Sequence, residues 1–87
     1  MAWTIEYTDT ALKQLRALDK SMARRILDYM DKRVAPSANP RGFGKGLRGM
    51  DRVWRYRVGA HRVICMIQDD ALLILTVRIG HRKNVYR

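Results

Sequence analysis

The sequence predicts an α+β domain: an N-terminal strand, two helices, then a three-stranded antiparallel meander, with the helices packed on one face of a twisted sheet. Three observations carry that prediction. Apolar and polar residues alternate from Trp3 to Thr8, the period of a strand with one buried face. Between Thr8 and Pro36 the apolar residues recur at helical spacing instead. From Leu47 onward the period of two returns, punctuated by Gly59-Ala60 and Asp69-Asp70. The 87 residues suffice for one modest core, so a single domain over residues 1–87 is expected.

Each element has its own justification. Trp3, Ile5 and Tyr7 form the buried face of a short first strand. Thr8 or Asp9 then caps a helix that turns Ala11, Leu12, Leu15 and Leu18 inward and leaves Lys13, Gln14 and Arg16 to water. The chain breaks and re-caps around Asp19, Lys20 and Ser21. A second helix follows, with Met22, Ile26, Leu27, Met30 and Val34 as its core stripe and Arg24, Arg25, Asp28, Asp31, Lys32 and Arg33 as a solvated face. Pro36 stops it, because the residue before proline disfavours helical torsions. Residues 36–46 read as a flexible basic loop. Its Gly-Phe-Gly-Lys-Gly run lacks both the spacing of a P-loop and the Ser or Thr after lysine.

The meander strands are read by alternation. Trp54, Tyr56 and Val58 take the core side of the first, leaving Val53, Arg55 and Arg57 on the open face. His61 to Gln68 is apolar on both faces, with Val63, Cys65 and Ile67 toward the helices and Arg62 toward the open face. In the last strand, Ala71 to Ile79, the expectation places Leu73, Leu75, Val77 and Ile79 on the core side and Arg78 outward. The chain then reaches Gly80 and a cluster of His81, Arg82, Lys83, Tyr86 and Arg87.

Charge narrows the function. The net charge is +10, and residues 41–87 carry eleven basic and three acidic residues, a net of +8. A field so concentrated attracts polyanions, nucleic acid first. No run approaches the length of a membrane span, and Met1 to Glu6 lacks the regions of a signal peptide, so a cytoplasmic protein without membrane association is expected. Cys65, the one cysteine, sits among apolar residues and reads as a small buried hydrophobe rather than a nucleophile.

The open face offers a reaction. Arg55, Arg57, Arg62 and Arg78 from consecutive strands, with Arg82 and Lys83 beyond, would line a concave basic surface, and Arg41, Lys45 and Arg48 could reach a phosphate backbone. No acidic cluster accompanies them, which disfavours two-metal phosphoryl transfer; neither metal nor cofactor is expected. Metal-free RNA cleavage by the adjacent 2′-hydroxyl needs alignment, charge stabilisation and movement of two protons. Arginines supply the charge, while His81, His61 or Tyr86 could move protons and Tyr86 could stack on a base.

Leu47-Arg48-Gly49-Met50, the Trp-Arg-Tyr-Arg run at 54–57, His61-Arg62-Val63, and Gly80-His81-Arg82 with Val85-Tyr86 resemble the RelE branch of the RelE/ParE toxins of type II toxin–antitoxin systems. The similarity covers essentially the whole chain, including Ala11-Leu12-Lys13. The resemblance implies a compact α+β endoribonuclease that enters the ribosomal 30S A site and cuts mRNA without metal. It also implies a cognate antitoxin, and it carries catalytic roles onto Arg55, Arg57, Arg62, Arg82 and Tyr86. One departure stands out. The best-studied members have lysines where this chain has Arg55 and Arg57, and a guanidinium cannot act as a general base. His81 becomes the expected substitute. The chain also lacks the C-terminal helix of some relatives, so antitoxin docking there is expected to differ. Two other functions fit the same residues: a ParE-like poison of DNA gyrase, and an RNA-binding module or decayed toxin without catalysis.

Overall fold

A computed structural model describes residues 2–47 and 49–81, with Asp51 described in its backbone only. The elements run β1 (Thr4–Tyr7), α1 (Asp9–Ala17), α2 (Lys20–Tyr29), β2 (Lys45–Leu47), β3 (Met50–Val58), β4 (His61–Gln68) and β5 (Leu73–His81). The five strands form one mixed sheet in the order β1-β5-β4-β3-β2. Every neighbouring pair is antiparallel except β1 with β5, which is parallel; α1 and α2 follow β1, and the chain reaches β5 only after β2, β3 and β4. The α+β class with helices and a meander is therefore present. Short β2 is an addition to it, an edge strand that begins with Lys45 and Gly46 of the stretch expected to be loop.

The core lies between the helices and one sheet face. Ala11 and Leu15 of α1, Ile26 of α2, and Met30 and Val34 beyond it pack on Trp3, Tyr56, Val58, Val63, Cys65, Ile67, Ile74 and Ile79. Thr8 caps α1 as expected, its side chain accepting from the Ala11 N–H at 3.1 Å. The stripe of the second helix continues past Tyr29 through a π-turn over Met30–Val34, closed by the Ala35 N–H donating to the Met30 carbonyl at 2.9 Å. The helical run ends near the expected place but for a different reason. Ala35, just before Pro36, keeps helical torsions (φ −57°, ψ −45°), so it is the missing N–H and the ring of Pro36 that prevent continuation.

Two further expectations need correction. In β5 the core side is taken by Ile74, Thr76 and Ile79; Leu73, Leu75 and Val77 are only half-buried. The cause is a register shift: Cys65 pairs with Thr76 and Ile64 with Arg78, which leaves Val77 as the extra residue of a β-bulge. The bulge inverts the phase of the strand, so one alternation pattern could not describe both halves. Gln14, expected in water, is half-buried and accepts from the Ile79 N–H at 2.6 Å. The Thr8 hydroxyl donates to the Val77 carbonyl at 3.2 Å. Both serve backbone groups beyond the end of β1, whose pairing with β5 stops at Tyr7 and Thr76.

Candidate functional site

The open sheet face is built row by row from the pairing. Lys45 pairs with Arg55, Arg55 with Ile64, and Ile64 with Arg78, so these four side chains stand in one row across four strands. Two residues further along, Arg57, Arg62 and Gly80 form the next row. Within a strand the rows are about 6 to 7 Å apart, and across strands neighbours are about 5 Å apart. Ile64 sits between Arg55 and Arg78 and is 7% exposed although it faces away from the helices. At that spacing the side chains of Arg55 and Arg78 are its cross-strand neighbours on that face.

Gly44, Lys45, Arg55, Arg57 and Arg62 line a groove of about 350 Å³. Gly44 makes its wall possible. It has φ +68°, and a Cβ there would lie 2.0 Å from the Arg55 carbonyl oxygen, so no other residue lets β2 approach β3 so closely. The loop before β2 is pinned from below: the Tyr56 hydroxyl donates to the Pro40 carbonyl at 2.7 Å and the Trp54 indole to the Phe43 carbonyl at 2.5 Å. The glycine-rich run is thus a close-packed entry to the edge strand.

The structure brings Arg55, Arg57, Arg62, Arg78 and Lys45 to one face. It does not bring Arg41 there. Arg41 forms a bidentate pair with Asp69 at 2.8 and 3.0 Å and lies over the Trp54 ring, 5.9 Å from its centroid. This hydrogen-bonded guanidinium holds the Asp69 carboxyl below the usual carboxylate range. His81 falls on the helix-facing side of the sheet end, because it pairs with His61, which pairs with core residue Val58. Its ring meets that of His61 edge-on, centroids 5.9 Å apart. Arg48, Arg82, Lys83 and Tyr86 lie outside the described residues.

Burial pushes the Cys65 thiol up to about 12, which suits a packing residue beside the Thr76 hydroxyl. Among the described residues no group of three or more His, Cys, Asp or Glu could hold a metal ion. Nor is any helix among them long and apolar enough to cross a membrane. Alternation alone missed a second cavity of about 430 Å³ between α2 and the end of β3, lined by Arg25, Asp28, Tyr29, Lys32, Arg33, Arg57, Val58 and Gly59. Helical spacing alone gives Arg25, Lys32 and Arg33 a solvated face, since only the tertiary structure shows that β3 ends beside them.

Comparison with known proteins agrees with this architecture. The chain is 26% identical over 88 aligned positions to toxin RelG of Mycobacterium tuberculosis, covering 100% of this chain and 99% of the relative. Putative toxin RelE1 of Methanocaldococcus jannaschii is equally similar at 26%, with 100% and 98% covered. The fold resembles the toxin–antitoxin complex RelBE2 of Mycobacterium tuberculosis (TM-score 0.83, 22% identity, 97% of this chain and 95% of that chain). It also resembles the archaeal RelE–RelB complex from Pyrococcus horikoshii (TM-score 0.74, 24% identity, 98% and 100% covered). The family model for the ParE toxin of type II toxin–antitoxin systems matches residues 5–86, nearly the whole chain, and the chain therefore belongs to that family of toxins, with RelE toxins as its structural neighbours.

Proposed function

We propose that this toxin is a ribosome-dependent endoribonuclease that cuts mRNA in the ribosomal A site and thereby stops translation. The observation that carries the reading is the groove in which Arg55 and Arg57 of β3 meet Arg62 of β4, with Lys45 at its wall. Three guanidiniums on rigid strands suit a phosphodiester that gains negative charge as its own 2′-hydroxyl attacks. Preorganised charge of this kind costs no rearrangement at the moment of reaction. Arg82 and Tyr86, by their match to the family pattern, complete the site from the chain beyond β5. Arginine does not take protons, so that work falls to a neighbour. His81 can serve only a substrate that reaches around the sheet end, whereas Lys45 shares the groove with the arginines.

The relatives solved as RelE–RelB complexes support a cognate antitoxin as the protein partner, and the cytoplasm as the setting in which toxin, antitoxin and ribosome meet. The test uses purified toxin, programmed ribosomes and end-labelled mRNA. Cleavage within the A-site codon is expected, with Arg62→Ala slower by about a hundredfold, the size of effect seen when one transition-state donor is removed. Equal cleavage of naked RNA, or full activity of folded Arg62→Ala, Arg82→Ala and Tyr86→Ala variants, would refute the assignment. The match to the ParE family model favours a second reading, a poison of DNA gyrase, and trapped gyrase–DNA cleavage complexes without mRNA cuts would establish it instead.

A further inference from the structure

The cavity between α2 and β3 joins the sheet-face groove through a shared residue, Arg57. Around it stand Arg25 and, two turns further along the helical run, Lys32 and Arg33, against a single carboxylate, Asp28. That carboxylate is already engaged, 3.8 Å from the Lys32 ammonium. The turn at Gly59 draws two guanidiniums together. Arg57 donates from Nε to the Gly59 carbonyl at 3.4 Å. A Cβ on Gly59, at φ +61°, would stand 3.1 Å from Nη1 of Arg25. Both guanidiniums lie against Gly59, and an anion bound beside them would offset the repulsion of two like charges. Tyr29 adds a half-buried ring to the same wall, tilted against Tyr56 with centroids 6.1 Å apart.

We propose that this cavity is a second phosphate-backbone subsite, through which an RNA strand lying in the sheet-face groove continues around the edge of β3 onto α2. The edge is open there: β2 pairs no further along β3 than Arg55, so Arg57 and Val58 have no strand beside them on that side among the described residues. A strand can therefore turn past Arg57 without crossing another element. Arg25, Lys32 and Arg33 give length-dependent, sequence-independent affinity, while the reacting phosphate remains with Arg55, Arg57 and Arg62.

The inference rests on the RNA reading of the groove, and the experiment separates the two. Full-length toxin is titrated by fluorescence anisotropy with a 2′-O-methyl trinucleotide and a 2′-O-methyl dodecamer, over a range of salt concentrations. The variants are R25Q/K32Q/R33Q and, as a control with equal loss of charge on exposed residues away from the cavity, K13Q/R16Q/K20Q. Each phosphate contact on a single strand contributes about 0.7 to the log–log salt slope, so losing three contacts should lower the dodecamer slope by about 2. The trinucleotide slope should stay unchanged, and the control should leave both nearly intact. Circular dichroism and thermal melting establish that the variants fold. Equal effects of the two triple variants, or an unchanged dodecamer slope, would overturn the subsite while leaving the groove reading in place. Failure of the wild type to bind either RNA would overturn the subsite, while the groove reading would still be decided by the programmed-ribosome assay. Loss of binding to an acidic peptide alone would also overturn it, marking the cavity as a protein-docking site.

Discussion

The two halves of β5 differ more than their shared strand suggests. From Leu73 to Thr76 the strand lies between β1 and β4, sends Ile74 and Thr76 into the core and shows Leu73 and Leu75 on its other face. From Arg78 to His81 it has β4 on one side only, sends Ile79 inward and turns Arg78 to the basic face. Val77 separates them. The extra residue falls where β1 ends, and its carbonyl goes to Thr8 rather than to a strand. The first half is held by the sheet on both edges. The second is held by side chains of the α1 region, and it is the half that carries Arg78 on the basic face. One bulge divides the strand into a half paired on both edges and a half paired on one.

Substitutions can break that division in turn. The largest effect belongs to the first half: Ile74→Ala should cost about 2 to 5 kcal/mol in urea unfolding, since a fully buried side chain leaves a cavity in a packed interior. A loss below 1 kcal/mol would mean that this half is not the anchor. Gln14→Ala addresses the second half. It deprives the Ile79 N–H of its acceptor, which should cost about 1 to 2 kcal/mol and speed hydrogen exchange at Ile79 far more than at Ile74. Equal acceleration at both amides would show that the halves open as one unit.

The smallest effect comes from the turn that leads into the first half. Arg41 holds the Asp69 carboxyl below its ordinary value, so the pair stabilises the fold above the ordinary carboxylate pKa. The contribution is lost as pH falls through the lowered value. Asp69 is exposed and screened by solvent, so the change is small. Asp69→Asn should remove this portion of the acid dependence measured by thermal melting. An identical pH profile in the variant would show that the pair is decorative.

Several features were legible because they depend on neighbours in the chain. Alternation in residues 53–58 placed Arg55 and Arg57 opposite Tyr56 and Val58, and the regular strand leaves no other choice. Thr8 was readable as a cap because its hydroxyl serves an N–H three residues on. Other features were hidden because their cause is remote. Nothing near Val77 announces a bulge, which depends on the partner strand and on Thr8, 69 residues away along the chain. Gln14 looked solvent-facing because helical spacing cannot show that a strand passes beside it. His81 was grouped with the arginines by proximity in sequence, whereas the pleat sends it to the other side of the sheet.

By itself, then, the sequence determined the family, the order of helices and meander, and the arginines of β3 and β4, all set by local period, composition and motif. The tertiary structure alone decided the edge strand at Lys45, the phase change at Val77, the removal of Arg41 to Asp69 and the convergence of α2 cations on Arg57. The physical reason is the same in each case. Which groups meet across a sheet, and which strand edge is left open, depends on pairing between distant segments, and no window along the chain contains both partners.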